Sequence, residues 1–111
     1  MAYDEDLANR VRECIGLEDG LTEMKMFGGL AFLIDGHMSV SVSRRGGLMV
    51  RVDPSEGEAL AAKPHVSIIV MRGREMPGWL HVRVEAIRTK RQLESWVRRS
   101  VAHARSEPAK R

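Results

Sequence analysis

The run KMFGGLAFLIDGHM, residues 25–38, sets the architecture of this chain, because two glycine-marked reversals enclose one apolar stretch. Asp35-Gly36 supplies the positive φ angles that a two-residue type I′ hairpin turn requires. Gly28-Gly29 could instead cradle a phosphate, but phosphate loops lead into a helix, and the strand-like run 30–34 follows here. We therefore interpret both glycine sites as turns of an antiparallel sheet.

The Asp35-Gly36 turn fixes a register for the two strands that it joins, because directly opposed residues share a face. Regular pairing predicts a core face made of the pairs Leu33–Met38 and Ala31–Val40. The other face then carries large apolar side chains and serines, in the pairs Phe32–Ser39 and Leu30–Ser41. This second face is either covered by a helix or left for a partner. Its apolar members, Leu30, Phe32 and Ile34, are therefore candidate interaction residues.

Helix signals flank the predicted strands. Acidic residues at 4–6 open a first helix, Asp53-Pro54 begins a short middle helix, and Thr89 with Gln92 forms a capping box for the last helix, which Pro108 ends. The predicted fold class is α+β, with a bent antiparallel sheet of about five to six strands, an N-terminal helix, a short middle helix and a C-terminal helix. We expect a single domain over residues 1–111, with an ordered core of about residues 3–106.

The sequence contains no pattern that indicates a metal site, a cofactor site or catalytic residues. The single cysteine, Cys14, lies on the apolar face of the first helix and is interpreted as a core side chain. Histidines 37, 65, 81 and 103 are scattered over different elements without metal-ligand spacing. Most carboxylates sit in helix starts, where capping explains them. We therefore expect no enzyme, no metal site and no cofactor.

The sequence also predicts a cytoplasmic protein without a membrane segment. Its longest apolar runs, 30–34 and 68–71, are far shorter than the roughly 20 residues of a membrane helix. The first ten residues, MAYDEDLANR, are acidic where a signal peptide is basic and then apolar.

A second candidate surface follows the middle of the chain. Strands are predicted at 66–71 and 80–85, and the segment 72–79 between them is predicted to be a long loop. Its candidate interaction residues are Arg72, Arg74, Met76 and Trp79. An anion site is conceivable from Arg51, Arg72 and Arg74, because arginine binds phosphate and carboxylate bidentately. A solvated hairpin tip is the favoured interpretation.

The C-terminal part of the chain is basic. Residues 88–111 contain eight Lys or Arg and two Glu, while the remainder carries a net charge of −3. Along the last helix, the candidate nucleic-acid-binding residues Arg91, Arg98 and Arg105 recur every seven positions, with Arg99 nearby. Because the chain shows no helix-turn-helix or RRM signature, a solvated helix face is favoured over nucleic-acid binding.

Taken in order, several short motifs resemble one known family. They are KMFGG at 25–29, the Asp35-Gly36 hairpin, GLMVRV at 47–52, MRGREM at 71–76, Gly78-Trp79, TKRQL at 89–93 and Trp96-Val97. Together they resemble the N-terminal domain family of the competence regulator TfoX, also called Sxy, over about Tyr3 to Arg105. Each motif is weak alone, and the set is collectively specific.

This resemblance implies a bent antiparallel sheet with flanking helices and a role in bacterial transcriptional or competence regulation. The family's best-known members carry a second, C-terminal domain, so a stand-alone member is expected here. The family supplies no catalytic residues. We therefore expect a non-enzymatic module that binds a protein partner, with nucleic-acid binding as the alternative and a small anionic ligand as a weaker one. An exposed strand edge leaves a homodimer open.

Overall fold

The computed structural model of the protein describes residues 3–26 and 28–107. One six-stranded antiparallel sheet has the spatial order β1-β2-β3-β4-β6-β5. Its strands are β1 (Leu21–Met26), β2 (Gly29–Ile34), β3 (His37–Val42), β4 (Leu48–Arg51), β5 (Val66–Met71) and β6 (Arg74–Val82). The predicted α+β class and strand number are confirmed.

Helices occupy the three predicted places in the chain: α1 (Glu5–Ile15), α2 (Gly57–Ala61) and α3 (Lys90–Ser106). Single 3₁₀ turns lie at Pro54–Glu56 and Val84–Ala86. The Thr89 hydroxyl accepts from the Gln92 N–H at 3.1 Å, and the Gln92 side chain accepts from the Thr89 N–H at 3.0 Å, which confirms the capping box. The predicted helix end at Pro108 lies outside the described residues.

Both predicted glycine turns are confirmed. Asp35 and Gly36 have φ angles of 51° and 85°, as a type I′ turn demands. Gly28 has a φ of 78°, and Met26 of β1 pairs with Gly29, the first residue of β2, so the chain reverses between these two residues. A Cβ at Gly29 would lie 2.4 Å from the Val42 carbonyl oxygen, so the close approach of β3 requires glycine there.

The predicted register of the β2–β3 hairpin is wrong beyond its first pairs. Leu33 pairs with Met38 as expected, but Phe32 then pairs with Val40, because Ser39 is an extra residue in β3. The Ser39 hydroxyl donates to the Phe32 carbonyl oxygen at 2.8 Å, which satisfies a group that the bulge would otherwise leave without a partner. The bulge shifts the remaining pairs to Ala31↔Ser41 and Leu30↔Val42.

The bulge sets Val40 and Val42 opposite Phe32 and Leu30. Leu30, Phe32 and Ile34 lie in the core, so their assignment to an interaction surface is wrong. Their exposed fractions are 3%, 0% and 0%. They belong to rows of apolar side chains that cross the sheet and pack with α1 and α3. One row is Leu30, Val42, Leu48, Val82 and Val66, and the next is Phe32, Val40, Val50, Leu80 and Ile68.

The segment 72–79 is a hairpin arm and not the predicted long loop. Arg72 and Gly73 form its two-residue turn with φ angles of 52° and 75°, and β6 begins at Arg74. An irregularity follows, since Ile69 pairs with Met76 but Ile68 pairs with Leu80. The predicted strand end at residue 85 is also wrong, because β6 stops at Val82.

Candidate interaction surface

One row of side chains crosses all six strands on the side opposite to the core rows. Residue by residue, the strand pairing links Met24, Ala31, Ser41, Met49, His81 and Ser67. We call this side of the sheet the open face, because the buried side chains of α1 and α3 belong to the core cluster on the other side. Ala31 and Ser41 are buried, Met49 and His81 are half-buried, and Met24 is 46% exposed.

Methionine is the characteristic residue of the open face. Met24 and Met49 belong to the row, and the two-residue alternation of a strand adds Met26 and Met71. Alternation also places Leu33 and Ile69 on this face, and their strand partners are Met38 and Met76. These six are all the methionines within residues 3–26 and 28–107. Methionine is unbranched and polarizable, and methionine-rich surfaces adapt to varied apolar partners. The open face therefore has the chemistry of a docking surface.

The sequence analysis missed most of these methionines as surface candidates; only Met76 was named. Their two-residue spacing in LTEMKM, at 21–26, was the available signal. Without the correct register, this spacing does not show that the methionines of β3 and β4 lie on the same face of the sheet as those of β1.

The predicted loop residues lie on the β5–β6 hairpin. Arg72 and Arg74 are exposed at its tip, whereas Met76 and Trp79 are half-buried along β6. The guanidinium carbon of Arg51 lies 4.7 Å from the centre of the Trp79 ring, a cation–π contact. Arg51 lies beside Trp79, whereas Arg74 is five positions away along β6, at the hairpin tip with Arg72. The three predicted anion-binding arginines therefore lie in two separate places.

The carboxylate of Glu107 contacts three side chains from different elements, and the sequence analysis did not identify this residue. Its carboxylate lies 3.3 Å from an Arg51 guanidinium nitrogen, 3.2 Å from His37 Nδ1 and 3.0 Å from His103 Nε2. These contacts join the residue that follows α3 to the start of β3 and the end of β4. They also give the Arg51 guanidinium a carboxylate partner, which an incoming anion would have to displace.

The arginines of α3 are not equally available. Arg105 donates to Glu18 Oε1 at 2.7 Å, and this hydrogen bond raises the pKa of Arg105. Arg99 lies 3.2 Å from Glu56 Oε1. Arg91 is exposed, and Arg98 is 81% exposed with Glu94 at 3.6 Å. Two of the four predicted nucleic-acid-binding arginines therefore connect α3 to other parts of the fold.

Cys14 is half-buried and packs against the core, so it is less enclosed than the predicted core side chain. Its burial raises the pKa of the thiol, which reduces the nucleophilic thiolate fraction. Across residues 3–26 and 28–107, no group of three or more His, Cys, Asp or Glu side chains is arranged to hold a metal ion. Within the same residues, no helix has the length and apolarity needed to cross a bilayer.

The family model of the TfoX N-terminal domain matches residues 15–104. The match begins at the end of α1 and runs through the whole sheet and nearly all of α3. Neither curated proteins nor solved structures give a match to the chain.

Proposed function

The chain belongs to the TfoX N-terminal domain family, and on that premise we propose that it is a non-enzymatic regulatory module of the bacterial cytosol. It acts by binding another protein and thereby influences transcription, including the control of competence. The observation that carries this proposal is the open face, where every described methionine lies on the side of the sheet away from the core helices.

Charge around the open face suggests the character of its partner. Arg44 and Arg45 are exposed in the β3–β4 turn, and Arg74 pairs with Met71 at the β5–β6 end. A partner segment with apolar side chains against the methionines and acidic side chains near these arginines would be complementary in both respects. Apolar contact supplies affinity in this arrangement, while the basic rim supplies orientation and a faster encounter.

The first test places charge on the open face. We expect the double variant Met38→Glu, Met49→Glu to lose the regulatory function, because two carboxylates would be desolvated against an apolar partner. Transcript profiles of a strain lacking the gene, complemented with either form, measure this effect. The wild type should restore the changed transcripts, and the variant should restore few of them.

The matched control is Ser95→Glu, Ala102→Glu, which adds the same charge at exposed positions of α3. It should complement like the wild type. Thermal unfolding of all three proteins separates lost binding from lost folding. If the strain without the gene shows no transcript change, or if the open-face variant complements fully although folded, the proposal is wrong.

Nucleic-acid binding through α3 is the alternative function, and the exposure of Arg91 and Arg98 is the observation that favours it. It predicts tight binding of a mixed-sequence DNA duplex at about 50 mM salt, with steep weakening toward 200 mM. The variant Arg91→Glu, Arg98→Glu should then reduce the logarithmic salt slope by about 2.

Fluorescence anisotropy measures this slope directly. Arg45→Glu, Arg74→Glu changes the net charge equally but away from α3, and it should alter the slope less than the α3 variant. Equal effects would indicate binding to overall charge, and no binding at low salt would reject the alternative.

A further inference from the structure

The two edges of the sheet differ sharply in their chemistry. The outer strands are β1 and β5, and an edge strand presents backbone N–H and C=O groups that can pair with another chain. The sequence of β1, LTEMKM, contains Glu23 and Lys25, which discourage such pairing. The sequence of β5, VSIIVM, contains no charge and no proline, and four of its residues are Val or Ile. Only β5 therefore has the composition of a pairing edge.

Exposure singles out the same strand. Val70 is 59% exposed and Met71 is 46% exposed, and because successive strand residues point to opposite faces, this edge strand exposes one large apolar side chain on each face of the sheet. Ser67 is also exposed, and Ile68 and Ile69 are only half-buried. Three of the six residues of β5, namely Ser67, Val70 and Met71, are therefore exposed.

We propose that β5 pairs antiparallel with β5 of a second copy of this chain, which extends the sheet to twice its six strands. This inference does not depend on the proposed function. The strand is self-complementary: identical uncharged strands meet without placing like charges opposite one another. The charged β1 edge opposes further addition, so the assembly closes as a twofold dimer and does not grow into a filament.

Geometry restricts the register of this pairing. Opposed residues of antiparallel strands share a face, so a twofold pairing must place one residue opposite its own copy. Centring the axis on Ile69 sets Ile68 opposite Val70 and Ser67 opposite Met71. This register covers both strongly exposed side chains of β5. Centring it on Ile68 would leave Met71 opposite His65, which lies outside the strand.

Such an edge contact is short, so we expect a reversible dimer that forms at concentrations on the order of micromolar or above. Sedimentation velocity over a wide concentration range should show the monomer mass of 12.5 kDa doubling. Met71→Lys should shift the protein to monomer, because a charged side chain on an edge opposes strand pairing. A monomer at every concentration would overturn the proposal.

The matched control is Met24→Lys, because Met24 has the same residue type and the same 46% exposure but lies on β1. It should dimerise like the wild type. A dimer that survives Met71→Lys, or one that Met24→Lys disrupts equally, would contradict pairing through β5.

A disulfide experiment tests the register. In a Cys14→Ser background, Ile69→Cys should form a covalent dimer under mild oxidation, because two copies of residue 69 face each other across the axis. Val70→Cys should cross-link far less, because its opposite residue is Ile68. Efficient cross-linking of Val70→Cys without cross-linking of Ile69→Cys would reject this register and move the axis to residue 70, whereas no cross-linking at either position would contradict pairing through β5.

Discussion

Replacing Phe32 by alanine is expected to lower the free energy of unfolding by about 3–5 kcal/mol. Phe32 is fully buried at the β2 end of a core row, between Glu23 of β1 and Val40 of β3. The truncation removes the transfer free energy of a benzyl group and leaves a cavity that the surrounding strands and α3 fill only partly. Because a domain of this size has a total stability of about 5–15 kcal/mol, this single change removes a large fraction of it.

Urea unfolding followed by tryptophan fluorescence measures this loss. The matched control is Leu33→Ala, one residue further along the same strand, where the side chain is half-buried on the open face. We expect a cost of about 1–1.5 kcal/mol there, because less apolar area is removed from contact. Similar costs at the two positions would contradict the placement of Phe32 in the core and of Leu33 on the open face.

The second large effect is expected at Gly57, the first residue of α2. An alanine Cβ there would lie 2.0 Å from the Pro77 carbonyl oxygen and 2.8 Å from its carbon, so the helix or β6 must move. Helix propensity alone predicts that Gly→Ala stabilises by about 1 kcal/mol. The clash outweighs this gain, because overpacking against backbone costs about 1–3 kcal/mol or more. We therefore expect net destabilisation by Gly57→Ala.

This prediction depends on whether Gly57→Ala lowers or raises the stability, and thermal unfolding measures the direction of that change without extrapolation. Ala59→Gly, at an exposed position of the same helix, calibrates how much propensity matters there and should cost about 1 kcal/mol or less. A higher melting temperature for Gly57→Ala would show that α2 does not pack this closely on β6.

Local chemistry made much of the fold predictable. The Asp35-Gly36 turn, the reversal at Gly28-Gly29 and the Thr89 capping box each depend on a few adjacent residues, and each is confirmed. The family resemblance, drawn from motifs spread along the chain, is also confirmed by the match over 15–104.

The register was not predictable for a physical reason. Residues 30–34 are all apolar, so either the even-numbered or the odd-numbered residues of this strand could face the core. The bulge that sets Val40 and Val42 opposite Phe32 and Leu30 is stabilised by the Ser39 hydroxyl bond to the Phe32 carbonyl, a contact between neighbouring strands. Nothing in the local sequence distinguishes this serine from Ser41.

The strand character of residues 74–79 was missed, and this stretch contains Pro77-Gly78, a typical loop signal. Proline is tolerated within a sheet only at edges or irregularities, and it lies here inside the irregularity of β6. Val52 N–H donates to the Gly78 carbonyl at 2.9 Å, so the neighbouring chain continues the hydrogen bonding past that point. The open face was not predicted for the same reasons, because its residues can be identified only when the face of each residue in every strand is known.

The placement of methionine also bears on how the protein would meet oxidants. Conversion of the thioether to the sulfoxide makes the side chain polar, and methionine sulfoxide reductases reverse the change. Within the described residues the buried core contains leucine, isoleucine, valine, alanine, phenylalanine and tryptophan but no methionine. Oxidation of these methionines by peroxide would therefore make the open face more polar, while the packing between the sheet and the helices stays intact. The described methionine sulfurs thus lie where loss of apolarity affects contact with other molecules before it affects folding.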